Sequence, residues 1–547
     1  MKTLCTLLLL LSSLSGIAQG TPDSLQARID ALFKEYGHPG SPGVAVLVVK
    51  DGAVAFKKGY GLANLEYDIP ITPATVFDIA SVSKQFTGFA ISTLIQEGKI
   101  SPDDDIHKYL PDVPQFGKTI TVRNLIHHTS GLRDWPAALH AAGWRWDESF
   151  RYEDIMRMVK QQRELDFDPG AQYSYSNTGY NLLAAIVAKV SGKTFPEWVD
   201  DHIFKPLDMH TSLVCSDYAK VVKHLASSYS GNGGAYNKNN DALTALGSSS
   251  IFTTVEDLAK WVIHFQQALD RQDPVYVRML ETDTLNNSQK INYAYGLEVS
   301  RNNGVLRFSH DGGWAGFRTI ISNYPDQKLS IILLSNTGSF DVYTNANAIA
   351  KLFLKDKIPA GPKREDMSSL PDINADTLLL KKYVGSYQLG AGWYVTFTLE
   401  NGQIMVQANG EDKFPTAVKS DTVLWVPAYG SSVTFRNIKD KAGALKYRGI
   451  IAPRVTPVHV TPAQLRQYAG VYYSAELETA YRLSVENDKL VAHHMRLGDF
   501  TFDPDLAAAG KFSSYNGNIT FFKDKQQKIA GFRLTNGRIQ NILFTKQ

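Results

Sequence analysis

Ser81 and Lys84 lie three residues apart at the start of a segment with helical periodicity, and the Ser-x-x-Lys spacing occurs once in the chain. On a helix this spacing places both side chains on one side. A serine hydroxyl is a weak nucleophile until a neighbouring base takes its proton. An amine that is partly desolvated near the positive end of a helix can have a pKa low enough to act as that base. The same helix start presents backbone N–H groups to an oxyanion. The pair therefore predicts acyl transfer at Ser81, whereas a capped helix with a solvated lysine is the alternative.

Tyr175 and Asn177 form a second polar cluster, after a Pro-Gly turn at residues 169–170 and before a helical segment. In an extended chain, residues two apart point to the same side. The phenol and the amide would then face one site, the first as a proton carrier and the second as a clamp for a carbonyl or amide. The same spacing recurs at Tyr343 and Asn345, so this motif carries weight only together with the others.

His310, Gly312 and Gly313 form a third cluster at the end of a predicted strand. Glycines at such a position let a substrate backbone approach the strand closely. The N–H of Gly313 could complete an oxyanion hole with that of Ser81. His310 offers a donor or a cation toward an anionic or acyl group. Taken alone, this segment is more typical of a turn with a surface histidine.

The elements that must position these clusters follow from periodicity. A hairpin is predicted around the Asp51-Gly52 turn, because Asp-Gly supplies the positive φ angles that a two-residue turn needs. Helices are predicted at residues 83–96, 152–162, 178–190, 254–268 and 342–354, and strands at 43–49, 53–60, 306–310, 318–324 and 329–335. An outer block of strands and helices around a central helical insert predicts an α+β fold, with an antiparallel sheet in an αβα sandwich and a helical subdomain.

The C-terminal part has a different pattern. Residues 357–376 are rich in proline and mixed charges and are predicted as a linker. Beyond them apolar and polar residues alternate, and a Tyr-x-Gly-x-Tyr motif occurs at residues 383–387 and again at 468–472. We therefore expect two all-β, barrel-like modules at residues 377–453 and 463–547, after a larger domain at 22–356.

Composition excludes several function classes. Hydrophobic residues make up 44% and charged residues 20% of the 547 residues, which is typical of a folded protein. The 57 basic and 54 acidic side chains give a net charge of +3, so neither nucleic acid nor an anionic membrane surface is expected as a partner. The 13 histidines and 2 cysteines show no spacing typical of a metal site, and no cofactor motif is present. No cofactor and no metal are predicted.

Residues 1–18 have the pattern of a secretory signal peptide, with an early Lys2, a short apolar run over residues 7–11, and Gly16 and Ala18 before the expected cleavage point. The apolar run is too short to span a bilayer. We expect export to the periplasm or the extracellular space, without stable membrane insertion.

Taken together and in this order, the three clusters resemble the penicillin-recognising serine hydrolases, the group of class C β-lactamases, D-Ala-D-Ala carboxypeptidases, D-aminopeptidases and esterases. Supporting segments lie at residues 125–132, 169–170, 205–209 and 295–297. The resemblance extends from Asp23 to Asp356 and implies a β-lactamase/DD-peptidase-like fold for this part. The C-terminal modules resemble the lipocalin-like β domains appended to some of these hydrolases.

The resemblance also implies roles for single residues. Ser81 corresponds to the acyl-accepting nucleophile and Lys84 to its proton partner. Tyr175 would be the general base for attack or for the deacylating water, and Asn177 would orient the substrate amide.

His310 stands where many members of the group carry the lysine of a Lys-Thr-Gly motif. This departure weakens the case for β-lactam hydrolysis, in which a permanent cation helps to hold the substrate carboxylate. Arg318, a few residues further on, is a candidate for supplying that charge.

These observations predict a serine hydrolase that acts through an acyl-enzyme on amide or ester bonds of small acyl, D-amino-acid or peptidoglycan-type substrates. The expected partner is a small molecule or a short peptide. Two alternative functions stay open: a class C-like β-lactamase, and an inactive protein that binds peptidoglycan fragments or a partner. For the assembly, a homo-oligomer formed through the C-terminal modules is also considered.

Overall fold

The computed structural model describes residues 24–302, 304–354 and 369–547. The predicted signal peptide lies outside the described residues, and so do residues 357–368 of the predicted linker. Within the described ranges, no helix combines the length and the apolar character needed to cross a membrane.

The N-terminal part contains a large sheet, several short strands and ten α-helices among its described residues. The strands are β1 (Val44–Lys50), β2 (Ala53–Tyr60), β3 (Leu62–Asn64), β4 (Ile69–Pro70), β5 (Phe77–Asp78), β6 (Leu213–Val214), β7 (Tyr229–Asn232), β8 (Ala235–Lys238), β9 (Ile251–Thr253), β10 (Glu298–Asn302), β11 (Val305–Trp314), β12 (Phe317–Tyr324) and β13 (Leu329–Ser335). The helices are α1 (Leu25–Leu32), α2 (Lys84–Gln96), α3 (Val122–Ile126), α4 (Trp135–Ala141), α5 (Tyr152–Gln161), α6 (Asn177–Ser191), α7 (Phe195–Val199), α8 (Val255–Asp270), α9 (Pro274–Arg278) and α10 (Val342–Phe353).

The large sheet has six antiparallel strands in the order β10-β11-β12-β13-β1-β2. Its two faces are both covered. In β1, Ala45 and Leu47 belong to the apolar cluster that includes α2 and α8, whereas Val44 and Val46 belong to the cluster that includes α1 and α10. Because both faces are buried, β1 is apolar at successive positions instead of alternating. This confirms the predicted α+β, αβα sandwich.

Helices α2 to α9 lie in the chain between β2 and β10 and pack on the α8 side of the sheet. Helix α6 begins at Asn177 because the Ser176 hydroxyl caps it, accepting from the Gly179 N–H, and it ends at Gly192 with φ of +71°. Helices α2 and α6 contact each other. The N-termini of these two helices and the end of β11 therefore meet at one edge of the sheet.

The first C-terminal module consists of a short helix and one curved antiparallel sheet. Its elements are α11 (Thr377–Tyr383), β14 (Gly385–Gly390), β15 (Trp393–Glu400), β16 (Gln403–Ala408), β17 (Phe414–Pro415), β18 (Ala417–Ser420), β19 (Val423–Val426), β20 (Ser431–Ile438), β21 (Ala442–Tyr447) and β22 (Ile450–Val455). The nine strands run in the order β17-β16-β15-β14-β22-β21-β20-β19-β18.

The second C-terminal module is a closed barrel. Its elements are α12 (Pro462–Leu465), β23 (Gly470–Ser474), β24 (Thr479–Glu486), β25 (Lys489–His494), β26 (Gly498–Pro504), β27 (Lys511–Ser514), β28 (Gly517–Lys523), β29 (Ile529–Asn536) and β30 (Ile539–Lys546). The two modules confirm the all-β, barrel-like C-terminal part, while the domain boundaries given above stay predictions.

The repeated sequence motif has the same local structure in both modules. The Tyr387 hydroxyl donates to the Tyr383 carbonyl at 2.9 Å, and the Tyr472 hydroxyl donates to the Tyr468 carbonyl at 2.7 Å. The glycine between each pair has φ of +147°, a conformation that excludes most other residues.

The second barrel packs on the N-terminal part. Its core residues belong to the same continuous apolar cluster as the core around α2 and α8. The Tyr481 hydroxyl donates to the Ala141 carbonyl at 2.9 Å. The Arg133 side chain is only 1% exposed. It forms ion pairs with Asp166 of the N-terminal part and with Glu476 of the second barrel. The first module has an apolar cluster of its own.

Candidate active site

Ser81 lies on a tight turn between β5 and α2. Residues Ala80–Ser83 form a 3₁₀ turn, and Ala80 has φ of +46°, a strained conformation for a residue with a Cβ. Its N–H donates to Oδ1 of the buried Asp78 at 2.7 Å. The sequence predicted Ser81 at the start of the helix. The structure places it in this turn, which directly precedes α2.

Strand β11 packs directly against this turn. A Cβ at Gly312 would lie 2.4 Å from the Ile79 carbonyl oxygen and 3.1 Å from the Ser81 nitrogen. A side chain at this position would displace the turn. Gly312 therefore sets the distance between β11 and the turn that carries Ser81, and it is not among the residues that line the cavity described below.

Lys84 is fully buried and its amine has three polar neighbours. Nζ lies 3.0 Å from Ser81 Oγ, 2.8 Å from Asn177 Oδ1 and 2.7 Å from the Ser248 carbonyl oxygen. Burial lowers the pKa of Lys84 well below its usual value. A neutral amine can donate to the two oxygens that only accept and can accept from the Ser81 hydroxyl. The geometry suits proton transfer from Ser81 to Lys84.

Tyr175 lies beside the same amine. Lys84 Nζ is 4.9 Å from the centre of the Tyr175 ring, and the His128 ring packs on it with 4.4 Å between centres. Burial raises the pKa of Tyr175 well above its usual value, and a hydrogen bond with Ser81 and the charge of Arg538 oppose this increase. Tyr175 therefore rests as a neutral phenol next to Ser81.

Asn177 is held in one orientation by Asp134. The Asn177 backbone N–H and its Nδ2 both donate to Asp134 Oδ1, at 2.7 and 3.0 Å. Asn177 Oδ1 is thereby directed at Lys84. Asp134 is buried, with a side chain 3% exposed, and its Oδ2 accepts from Arg538 at 3.2 Å.

His310 is neutral in this site. Its Nδ1 lies 2.5 Å from the Asp311 carbonyl oxygen, which only accepts, so Nδ1 carries the proton. Nε2 then accepts from the Tyr293 hydroxyl at 2.8 Å. Burial lowers the pKa of His310 to about 4. The cationic form considered from the sequence is therefore not populated at neutral pH.

A cavity of about 500 Å³ opens over these groups. Its lining includes Ser81, Tyr175, Asn177, His310 and Gly313 from the predicted set, three tryptophans, and Ser249 and Arg538. The tryptophans are Trp135, Trp146 and Trp314. The structure thus brings five predicted residues into one cavity, with Lys84 directly behind its wall.

Arg318 lies outside this lining. Its guanidinium donates to the carbonyls of Ala315 and Phe317, at 3.1 and 2.7 Å. The guanidinium is thus held by its own strand connection, next to Gly313.

Sequence reasoning missed Asp134, Ser248, Tyr293 and Arg538. Asp134 comes two residues after the segment at 125–132, which was a usable signal. Arg538 follows an Asn-Gly pair, which predicts a hairpin turn but not where that turn lies. Ser248 acts through its backbone carbonyl, which no side-chain pattern reveals.

Comparison with known proteins settles the family. The family described as Beta-lactamase matches residues 29–397, more than half of this chain. The chain belongs to the Beta-lactamase family. It is 27% identical over 439 residues to penicillin-binding protein 4* of Bacillus subtilis, which covers 76% of this chain and 94% of the relative. It is 29% identical over 350 residues to a D-aminopeptidase of Gluconobacter oxydans, covering 62% of this chain and 64% of that protein.

Two solved structures share the fold of this chain. The octameric penicillin-binding protein homologue from Pyrococcus abyssi aligns with a TM-score of 0.56 at 22% identity, over 87% of this chain and 99% of that one. D-amino acid amidase from Ochrobactrum anthropi SV3 aligns with a TM-score of 0.52 at 21% identity, over 60% of this chain and 99% of that one. The chain is a hydrolase of the serine β-lactamase family in its fold and sequence.

Proposed function

We propose that this protein is an exported serine hydrolase that cleaves amide or ester bonds of small acyl or D-amino-acid compounds through an acyl-enzyme on Ser81. The observation that carries the proposal is the buried Lys84 amine, 3.0 Å from Ser81 Oγ and held by two further acceptors. A buried amine in that position is a base matched to a serine nucleophile.

The first half-reaction forms the acyl-enzyme. Ser81 Oγ attacks the substrate carbonyl carbon while its proton passes to Lys84 Nζ. The bond to the leaving group then breaks, and the Tyr175 phenol gives its proton to the departing nitrogen or oxygen. Backbone N–H groups of Ser81 and Gly313 are the proposed donors to the oxyanion. This leaves a protonated Lys84 and a Tyr175 phenolate beside the ester.

The second half-reaction reverses these proton positions. The Tyr175 phenolate takes a proton from water as the water oxygen attacks the acyl carbon. The bond to Ser81 Oγ breaks, and protonated Lys84 returns its proton to that oxygen. Both groups end in the neutral forms that their burial favours, so the cycle closes without an external acid or base.

The substrate class is inferred from the cavity and from relatives. Three tryptophans and a volume of about 500 Å³ suit a small acyl or amino-acid group better than a long polymer. A D-aminopeptidase is among the sequence relatives, and a D-amino acid amidase shares the fold. The neutral His310 does not supply the cation that many members of the group carry at this position for the carboxylate of a β-lactam, which favours this class over β-lactams.

The test is covalent labelling of Ser81. We expect a fluorophosphonate to add to Ser81, as read by mass spectrometry of the tryptic peptide, and Ser81→Ala to lose both labelling and turnover while its circular dichroism stays unchanged. Ser83→Ala is the matched control, because the Ser83 hydroxyl accepts from the Ile251 N–H at 3.2 Å and lines no part of the cavity. Labelling that persists in Ser81→Ala, or none in the intact protein, contradicts the proposal.

A substrate panel separates the finer alternatives. D-amino-acid anilides, D-Ala-D-Ala peptides, p-nitrophenyl esters and nitrocefin share the acyl-enzyme route but differ in the bond that breaks. We expect the anilides and esters to be turned over faster than nitrocefin.

Export and assembly belong to the same proposal. Cleavage after Ala18 predicts a mature chain that begins at Gln19, which N-terminal sequencing of the secreted protein checks. A homo-oligomer through the C-terminal modules is supported by the octameric Pyrococcus abyssi homologue, and light scattering of the purified protein tests it.

A further inference from the structure

Arg538 belongs to the second barrel but lies in the cavity of the hydrolase part. It lies in the turn between β29 and β30. Its guanidinium carbon is 4.7 Å from the centre of the Tyr175 ring, and it donates to Asp134 Oδ2 at 3.2 Å. Its side chain is 51% exposed and lines the same cavity as Ser81. The barrel therefore places a charged group directly at the proposed reaction centre.

The position of the hairpin is fixed by the interface on which it sits. Two residues after Arg538, the Gln540 N–H donates to Asp166 Oδ1 at 2.6 Å, and its carbonyl accepts from Arg133 at 2.5 Å. Both partners are buried residues of the N-terminal part. The guanidinium is thus anchored on both sides, by Asp134 at its tip and by this backbone pairing at its base.

Few of the groups around Tyr175 can keep a positive charge. Lys84, His128 and His310 all lie near the Tyr175 ring, and burial lowers the pKa of each of them. A guanidinium stays protonated at every pH at which proteins fold. Among the described residues around this ring, Arg538 is therefore the group that keeps its positive charge at any such pH.

We propose that Arg538 is a positioning residue by which the second barrel completes the active site, stabilising the Tyr175 phenolate formed when the phenol protonates the leaving group. The inference rests on the proposed function of Ser81, Lys84 and Tyr175. In that step the phenol O–H bond breaks, its proton goes to the leaving nitrogen or oxygen, and the electron pair stays on the tyrosine oxygen. A fixed cation over the ring interacts more strongly with the phenolate than with the phenol, so it lowers the barrier and not only the energy of the bound substrate.

A second contact connects Arg538 to the nucleophile. Asp134 accepts from Arg538 through one oxygen and from Asn177 through the other, and Asn177 in turn accepts from Lys84. Arg538 compensates the buried carboxylate of Asp134, which would otherwise lack a cation. The direct contact of Arg538 is with the Tyr175 ring, so its loss is expected to disturb the proton step at Tyr175 more than the proton transfer from Ser81 to Lys84.

The test compares variants of two arginines on the same hairpin. Arg538→Gln removes the charge in the cavity and Arg538→Lys keeps it. Arg533→Gln is the matched control, because Arg533 on β29 pairs with Glu164 across the same interface at 2.6 Å, is exposed, and does not line the cavity. All are made in the full chain, and their unfolding midpoints are measured beside activity.

Two kinds of probe separate the proton step from the nucleophile. Release of fluoride from a fluorophosphonate needs no proton from Tyr175, whereas D-alanine p-nitroanilide and methyl butyrate have leaving groups that must be protonated. We expect Arg538→Gln to lower kcat on the better of the last two substrates roughly 10- to 100-fold, with KM and the rate of Ser81 labelling within about threefold of the original protein. Arg538→Lys should recover most of kcat, and Arg533→Gln should keep all of it.

Several results would overturn the inference. These are a kcat for Arg538→Gln within twofold of the original, an equal loss in Arg533→Gln, or a loss confined to KM, which would make Arg538 a substrate-binding residue. If the original protein is neither labelled at Ser81 nor active on either substrate, the proposed function fails and this inference fails with it. Labelling of Ser81 with an unaffected Arg538→Gln leaves the proposed function intact and removes the inference alone.

Discussion

The two C-terminal modules start from the same motif and are used differently. Each opens with a Tyr-x-Gly-x-Tyr segment in which the second tyrosine hydroxyl donates to the carbonyl of the first. The first module then builds an open nine-stranded sheet around a core of its own, while the second closes into a barrel whose core is continuous with that of the hydrolase part. A shared motif thus specifies how a module starts, and residues outside it decide what the module does.

One arginine in each region shows the difference. Arg133 of the hydrolase part pairs with Asp166 of the same part and with Glu476 of the second barrel, and both carboxylates are buried. Arg454 stays within the first module, where it donates to the carbonyls of Val384 and Ala442. The first arginine connects two units through charge, whereas the second closes a single unit through neutral acceptors.

The largest expected effect comes from removing these arginines. Arg133→Met leaves Asp166 and Glu476 buried without a cation, which typically costs about 3–5 kcal/mol. We expect this loss in the free energy of unfolding by urea, together with loss of activity, because the hairpin that carries Arg538 loses its anchor. Arg454→Met should cost about 1–2 kcal/mol and keep the activity. A fully active Arg133→Met protein would show that docking of the barrel does not matter for the site.

A smaller effect is expected from the pH dependence of the docked barrel. Burial raises the pKa of Asp166 to about 6 from 3.8, so the folded protein holds this proton more tightly than the unfolded chain. The corresponding stabilisation is fully present below pH 4 and is lost as the pH rises through about 6.

The measurement compares the original protein with Asp166→Asn, whose side chain does not titrate. The difference between their free energies of unfolding in urea should move in favour of the original as the pH falls from 7 to 4, by at most about 3 kcal/mol. A difference that stays constant over this range would show that Asp166 titrates normally in the interface.

The smallest effect concerns the shared motif itself. Tyr387→Phe and Tyr472→Phe each remove one buried hydroxyl that donates to a carbonyl, and each should cost about 1 kcal/mol of stability. Activity at 25 °C should not change in either variant. Equal losses of stability in thermal unfolding would confirm that the two copies of the motif are equivalent. A much larger loss in one variant would show that the two copies contribute differently.

Much of the N-terminal fold could be predicted from the sequence. The hairpin β1–β2, helix α2 and strands β12 and β13 follow their periodicity closely, because each is set by local spacing and by a buried face. The turn at Ser81 was only partly predicted. A run of helical spacing does not show that the first residues form a 3₁₀ turn behind an alanine at positive φ, since this turn is imposed by β5 and by the contact with Gly312.

The sequence by itself determined the Ser-x-x-Lys pair, the Tyr-x-Asn pair, the glycines beside His310 and the repeat in the C-terminal part, because each depends on short spacings. The tertiary structure alone decided that His310 is neutral, that Arg318 donates to the carbonyls of its own strand connection, and that Arg538 meets Asp134 across 404 residues of chain. The charge of a side chain depends on its burial and its neighbours. Residues that are far apart in the sequence become neighbours only when the barrel packs on the N-terminal part.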